Sequence, residues 1–158
     1  MLRWFKRLVS GKPHLSIGGD ERPYMRRWYC IPRNPWLNVY LHQFLRDDDD
    51  RALHDHPWWF ISIMLWGSYT EWRIEPSIWH GRGFPESTIE PRRRRAGSIA
   101  FRSAETRHRV TLNGKPCWTL VITGRKKRTW GFWCPRGFVP WHEFTKPGNE
   151  GEIGKGCD

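Results

Sequence analysis

Short apolar or alternating stretches follow one another along most of this chain, separated by glycine, proline or polar turns. Stretches of roughly four to eight residues bounded by turn residues are typical of β-strands. Few segments repeat with the spacing of a helix, so the pattern predicts an all-β fold with few short helices. Many short strands favour a sandwich or a closed barrel. The predicted strands cover residues 25–31, 38–45, 57–74, 97–102, 108–112, 118–123 and 129–134.

Two local features add to this prediction. Asn113 and Gly114 stand between two predicted strands and tolerate the positive backbone angle of a tight turn, so they predict a hairpin. Residues 57–65 are apolar on both faces, whereas a strand with one solvated face would alternate. A second sheet, the N-terminal segment or a partner subunit in a homodimer would have to cover the outer face.

The length of 158 residues predicts a single domain. We expect residues 1–22 to be an N-terminal arm. Its start could form a short basic amphipathic helix that contacts a membrane or nucleic acid, or it could be a helix packed on the barrel or a frayed end. Residues 23–146 would form the β-barrel. Residues 147–158 are glycine-rich and are expected to be a disordered tail.

The cysteines and the hydropathy indicate an intracellular setting. No apolar stretch has the length of a membrane span, and the start lacks the pattern of a secretory signal. The cysteines show no Cys-x-x-Cys spacing, which argues against zinc knuckles and redox dithiols, and a reducing cytoplasm is the default. They are Cys30, Cys117, Cys134 and Cys157.

The chain is strongly basic, with a formal net charge of +11 and arginine and lysine concentrated at 92–95 and 125–128. Such charge attracts phosphates, anionic substrates or acidic proteins, and it also occurs on ordinary solvated surfaces. Twelve tryptophans accompany it. Tryptophans could stack nucleic-acid bases, but their place in apolar runs favours packing.

Three histidines form the most specific chemical pattern. His54 and His56 are one residue apart, so on a strand their side chains point the same way. His108 lies downstream behind a glycine-led strand. Neutral imidazoles bind iron, zinc, nickel or manganese, and three of them leave open positions for water or substrate.

The segment His54-Asp55-His56-Pro57, its apolar run ending at Gly67, and the later segment from Gly97 to His108 resemble the two motifs of the cupin superfamily. The resemblance implies a double-stranded β-helix, the RmlC-like jelly-roll barrel, with a mononuclear metal held by the three histidines. It extends from the histidine pair to about residue 122.

The usual first cupin motif also supplies a glutamate ligand shortly after the second histidine, where this chain has Phe60 and Ile61. The chain is therefore similar to the three-histidine, cysteine dioxygenase-type cupins, which implies an Fe(II) centre that binds substrate and O₂. It also resembles small Trp-rich cupins of unknown role from phages and bacteria. A fourth ligand from Asp48, Asp49 or Glu105 is an open alternative.

Several other residues are candidates by their type and position. Arg102 and Arg109 could clamp a substrate carboxylate, and Trp58 and Phe60 would lie beneath the metal. A tyrosine–histidine pair of the kind that thiol dioxygenases use could come from Tyr40, Tyr69, His42 or His142.

Three functional hypotheses follow. The first is a mononuclear non-haem iron dioxygenase that oxidises a small anionic substrate, such as a thiol. The second is a non-enzymatic module that binds nucleic acid or a protein partner through its basic, Trp-rich surface. The third is a metal-independent isomerase or epimerase in which a histidine acts as the base.

Overall fold

The computed structural model describes residues 1–18, 21–48, 52–74, 89–146 and 153–158. These residues form twelve β-strands and two short helices. In chain order they are α1 (Leu2–Val9), β1 (Leu15–Ile17), β2 (Met25–Tyr29), β3 (Asn38–Phe44), β4 (Leu53–His54), β5 (Phe60–Trp66), β6 (Ser68–Ile74), β7 (Glu90–Arg95), β8 (Ile99–Arg102), β9 (Arg107–Leu112), β10 (Cys117–Thr123), β11 (Gly131–Cys134), β12 (Gly137–Pro140) and α2 (Trp141–Phe144).

The strands form two antiparallel sheets of six strands each. Sheet A has the order β1-β2-β3-β10-β5-β8, and sheet B has the order β12-β11-β4-β9-β6-β7. Strands that follow one another in the chain often belong to different sheets, as β5 and β6 do. This arrangement is a double-stranded β-helix, and it confirms the predicted all-β jelly roll with few helices.

Glycines stand where the chain passes from one sheet to the other. Gly67 lies between β5 and β6, Gly97 between β7 and β8, and Gly114 between β9 and β10, all with φ between 79° and 87°. Residues other than glycine rarely adopt this left-handed backbone. The predicted strand 57–74 is therefore two strands in different sheets, which meet at the Gly67 corner.

The hairpin predicted at Asn113 and Gly114 was wrong. β9 pairs with β4 and β6, while β10 pairs with β3 and β5. The turn residues do form a tight turn, but it leads the chain across to the opposite sheet. Local turn chemistry determines the backbone angles at a corner and does not determine which strand becomes the neighbour.

The inward faces of the two sheets contribute three clusters of buried residues. One cluster is formed by residues of β5, β6, β9 and β10, and one lines the middle strands of sheet A. The third joins β11, β12 and α2. Their members are Met64, Tyr69, Val110 and Cys117; Tyr40, Phe60 and Val121; and Ala52, Phe132, Cys134, Val139 and Phe144.

The outer face of sheet A is only partly covered. Helix α1 packs over β2, where the Trp4 indole N–H donates to the carbonyl of Tyr29. At the other edge Ile99 and Phe101 of β8 are 67% and 61% exposed. The N-terminal segment thus covers one end of this face, and the homodimer stays a prediction for the other.

The two ends of the chain are more ordered than the sequence indicates. β1 lies within the expected arm and pairs with β2 as the edge strand of sheet A. Residues 153–158 are not disordered, because Cys157 forms a disulfide with Cys134 and the Gly154 N–H donates to Phe144. The cysteine spacing did not indicate this pair, since its partners are 23 residues apart. Residues 147–152 lie outside the described ones.

No helix among the described residues is long and apolar enough to cross a membrane.

We predict that Gly67→Ala destabilises the fold by about 3 kcal/mol, from the left-handed backbone and overpacking together. A Cβ at this corner would lie 2.8 Å from the Cβ of Cys117 and 2.9 Å from the Pro116 carbonyl oxygen. Gly114→Ala is the matched control, because its φ is similar and a Cβ there meets nothing within 4 Å. Its cost should be about 1 kcal/mol. Urea unfolding of both variants measures the difference, and equal losses would contradict the steric part of the argument.

Candidate metal centre

The three predicted histidines meet on sheet B at one end of the barrel. His54 of β4 and His108 of β9 are direct partners in the antiparallel register. His56 follows two residues after His54, and the three ring centroids lie 4.8 to 5.1 Å apart. Each ring offers a nitrogen, and these atoms all lie within 4.8 Å of one another. The chain pairing thus brings together residues that are 54 positions apart in sequence.

Two contacts determine how His108 presents its nitrogens. Its Nδ1 lies 3.1 Å from Oε1 of Glu71, and its Nε2 lies 2.8 Å from Nε2 of His56. A carboxylate accepts hydrogen bonds, so Nδ1 of His108 carries a proton and donates to Glu71, while Nε2 is the nitrogen that faces His56. A hydrogen bond joins the two Nε2 atoms.

Glu71 is a buried carboxylate with three basic partners. Its side chain is 2% exposed, and it accepts from Nε of Arg102 at 2.7 Å, from Nε of Arg94 at 3.1 Å and from His108. Nη2 of Arg102 also contacts Oε2. Burial acts to raise the pKa of Glu71, but the hydrogen bonds and charges of His108 and Arg102 outweigh it, so the pKa lies well below its usual range.

The other two histidines are held in their neutral form. Burial lowers the pKa of His54 to about 4, with Asp48 opposing the shift. Burial, then the neighbouring His108 and His54, lower the pKa of His56 well below its usual value. Neutral imidazoles have a lone pair available, which is the form that binds metal ions.

Asp55, between the two histidines, points away from them and anchors their strand. Its Oδ1 accepts from the backbone N–H of Gly131 at 3.0 Å. Its Oδ2 accepts from Arg128 at 2.7 Å and from the Trp133 indole at 3.1 Å. With only 1% of its surface exposed, this carboxylate holds the end of β4 against β11 and so anchors the segment that carries both histidines, of which His56 lies beyond the end of the strand.

The donor set fits a divalent first-row metal, because three imidazoles converge and a carboxylate accepts the hydrogen bond from Nδ1 of one of them. The alternative fourth ligands are less suited. Asp48 uses Oδ2 to accept the N–H of Val110 at 2.5 Å, and Glu105 is exposed. Asp49 lies outside the described residues.

A cavity of about 420 Å³ opens beside the histidines, between the two sheets. Trp58 and Phe60 line it, as the alternation from His54 suggested. Arg102 and Arg109 are not among its described lining residues, which corrects the expectation that they clamp a substrate. Arg102 forms an ion pair with Glu71. The Arg109 guanidinium lies 5.3 Å from the Trp72 ring centroid, on the face of β9 opposite to that of His108.

Of the four candidates for a tyrosine–histidine pair, three line the cavity and one lies outside it. Tyr40, His42 and Tyr69 all line the cavity, and the rings of Tyr40 and His42 stack with centroids 5.8 Å apart. His142 lies on α2 with its side chain 59% exposed. A tyrosine–histidine pair is thus present in the cavity, on β3.

Sequence reasoning missed Glu71 and Asp55. A signal for Glu71 existed, since strict alternation on β6 places it on the same face as the buried Tyr69. A carboxylate on a buried face needs a cationic partner. Which partners it finds depends on strand order, and no local pattern indicates that.

We predict that Glu71→Gln lowers the free energy of unfolding by about 3 kcal/mol, because Arg102 stays buried without its counter-charge. Glu90→Gln is the control, since its pair with Arg92 is exposed on both sides and should contribute less than about 1 kcal/mol. Denaturant unfolding of the two variants tests this, and a Glu71 effect no larger than the control would be contrary to the assigned role.

Comparison with known proteins supports the fold. No protein-family model matches the chain, and no curated protein matches it in sequence. Among solved structures, Fe(II)-HppE with its alternative substrate (S)-1-HPP is similar, with a TM-score of 0.52 and 15% identity over 69% of this chain and 54% of that one. The chain thus spans about half the length of that protein.

A second similar structure is an uncharacterized conserved protein with a double-stranded beta-helix domain from Klebsiella pneumoniae. Its TM-score is 0.52 at 13% identity, covering 78% of this chain and 92% of that one. Both similarities concern the fold. The chain therefore has a double-stranded β-helix fold, with a cluster of three histidines inside it.

Proposed function

We propose that His54, His56 and His108 hold one divalent metal ion, Fe(II) before zinc, nickel or manganese. We further propose that the protein catalyses the O₂-dependent oxidation of a small anionic molecule in the adjoining cavity. In the proposed oxidation both oxygen atoms of O₂ enter the substrate, so that the reaction needs no further reductant.

One observation carries the proposal. His56 and His108 present their Nε2 atoms to each other at 2.8 Å, while Glu71 holds the opposite nitrogen of His108. The facing nitrogens share one hydrogen bond here, whereas a metal cation would accept a lone pair from each of them. The carboxylate–histidine contact is the arrangement that accompanies histidine ligands in metal sites.

The similar solved structure adds support of a different kind. HppE is described with Fe(II) and with a small substrate bound. Its similarity to this chain concerns the fold, and the three histidines supply the argument for a metal here. An all-imidazole donor set also suits Fe(II), zinc and nickel better than calcium or magnesium, which prefer oxygen.

The chain's own residues divide the work of the site. A bound metal would supply a Lewis acid with open positions and, if iron, the electrons for oxygen chemistry. Glu71 keeps the proton of His108 on Nδ1 and makes Nε2 a stronger donor. Phe60 and Trp130 pack against His56, with ring centroids 4.7 Å and 6.3 Å from that of the histidine.

We expect wild-type protein purified without chelator to contain about one equivalent of metal per chain. His56→Ala and His108→Ala should each contain at least tenfold less metal per chain than the wild type, because two imidazoles bind a divalent ion much more weakly than three. His142→Ala is the control, since its ring is exposed outside the cavity. Metal content by inductively coupled plasma mass spectrometry measures all four.

The outcomes separate the hypotheses. Iron lost in both variants, together with oxygen uptake on small thiols or carboxylates, supports the dioxygenase activity. Zinc or nickel in the same site retains the metal centre and contradicts the oxidation. Folded proteins with no metal in any sample would reject the proposal. Catalytic turnover that survives complete chelation would favour the metal-independent isomerase.

A second candidate function has its own observation. The outward face of sheet B carries Arg93 and Arg95 of β7, both exposed, beside Trp72 and Arg109. Cations beside an indole ring are the combination that binds the backbone and the bases of a single strand. This face is separate from the histidines, so a nucleic-acid module is compatible with the same fold.

For this candidate we predict that the double variant Arg93→Gln, Arg95→Gln weakens binding of a 20-nucleotide oligothymidine at least tenfold. For this variant, the slope of log affinity against log salt concentration should be shallower by about 1.4, or about 0.7 for each lost phosphate contact. Arg3→Gln, Lys6→Gln removes the same charge from α1 as a control. Equal losses in the two variants would mean that net charge alone drives binding.

A further inference from the structure

Helix α1 has an apolar side that is exposed to solvent. Its residues Leu2, Phe5 and Val9 are 75%, 56% and 66% exposed. Side chains three and four positions apart lie on the same side of a helix, so these three form one continuous row, which we call the apolar row. Single exposed apolar residues are ordinary on a protein surface, whereas a contiguous group of them marks a contact site.

The helix is held in one orientation by its other apolar residues. Trp4 and Leu8 are partly buried, and the Trp4 indole N–H donates to the carbonyl oxygen of Tyr29 at 2.7 Å. After the helix ends, the chain turns back on it, and the Pro13 carbonyl oxygen accepts from Nε of Arg7 at 2.7 Å. These contacts attach α1 to sheet A and leave the apolar row on the outside.

The charge around the apolar row has one sign. Residues 1–18 contain four cations, Arg3, Lys6, Arg7 and Lys12, and no acidic residue. All four cations are exposed. Lys6 follows Leu2 by four positions and precedes Val9 by three, so it lies directly beside the apolar row. The helix therefore presents a hydrophobic surface with a cationic border.

The partner of this surface needs both negative charge and an apolar interior. A nucleic acid offers phosphates to the cations, but it has no apolar interior for aliphatic side chains such as Leu2 and Val9. A second copy of the chain would bring the same cations to the contact, and each copy has a formal net charge of +11. The surface of an anionic lipid bilayer has both properties, because acidic headgroups lie directly above acyl chains.

The size of the surface also favours a bilayer over an acidic protein. Stable protein interfaces bury roughly 1,200 to 2,000 Å² in total, which is more than three side chains of one short helix provide. Proteins that bind an amphipathic helix do so with a preformed groove. Lipid needs no such groove, since acyl chains rearrange around the inserted side chains.

We propose that α1 docks the protein on anionic lipid bilayers. Leu2, Phe5 and Val9 insert at the level of the headgroups, and Arg3 and Lys6 lie beside the acidic groups of the lipid. Helix α1 contributes none of the described lining residues of the cavity, so this docking goes beyond the proposed metal site and does not require it.

Co-sedimentation of the full-length protein with sucrose-loaded vesicles tests the proposal at physiological salt. The vesicles contain phosphatidylcholine and phosphatidylserine in a three-to-one ratio, or phosphatidylcholine alone. We expect the protein to bind the anionic vesicles at least tenfold more tightly than the neutral ones, because the cations gain energy only at a negative surface.

Two phenylalanine variants test the apolar row. Phe5→Gln should weaken binding to the anionic vesicles at least tenfold, because a polar side chain gains nothing from leaving water. Phe101→Gln is the matched control. Phe101 is 61% exposed, close to the value for Phe5, but it lies on β8 at the opposite edge of sheet A, so its replacement should change the affinity less than twofold.

Two double variants test the cations. Arg3→Gln, Lys6→Gln should weaken binding to the anionic vesicles about twentyfold, or about fivefold for each cation. Arg93→Gln, Arg95→Gln removes the same charge from β7 and should change the affinity less than twofold. Thermal melting followed by circular dichroism checks that all four variants are folded, which we expect because the replaced side chains are exposed.

Several results would overturn the proposal. These are no binding of the wild type to anionic vesicles, equal binding to neutral ones, or equal losses within either pair of variants. Self-association of the lipid-free protein that Phe5→Gln abolishes, in place of lipid binding, would assign the apolar row to a second copy. Oligothymidine binding that is lost in Arg3→Gln, Lys6→Gln and kept in Phe5→Gln, again without lipid binding, would assign α1 to nucleic acid.

Discussion

The buried carboxylate of Glu71 is the contact on which the arrangement of the site depends. It belongs to β6, and its partners come from β7, β8 and β9, so four strands meet at one charge. Moving a carboxylate out of water costs several kcal/mol, and only well-placed cations and hydrogen bonds compensate for that loss. Because Arg102 lies on sheet A and the other partners on sheet B, the cluster also joins the two sheets beside the histidines.

The same carboxylate would balance the charge of the proposed metal site, in which all three assigned ligands are imidazoles. A divalent ion bound by three neutral imidazoles would retain its full charge, and Glu71 lies directly behind one of those rings. It therefore offsets the charge through His108 without occupying a coordination position. The positions left open would be available to an anionic molecule.

Much of the fold could be predicted from the sequence, for physical reasons. Apolar stretches separated by glycine gave strand positions close to those observed, because alternation and burial act locally. The hairpin at Asn113 and Gly114 was wrong, since the turn is local but the choice of sheet is not. The Cys134–Cys157 disulfide was missed because its partners are brought together only by the folded tail.

The candidate site divides in the same way. The residue types and their spacing by themselves indicated His54, His56 and His108 as the candidate ligands, although β4 ends at His54 and the strand repeat does not extend to His56. Only the tertiary structure decided that Glu71 neutralises Arg102. Charges act through space, so their partners depend on which strands lie side by side, and strand order is a property of the whole fold.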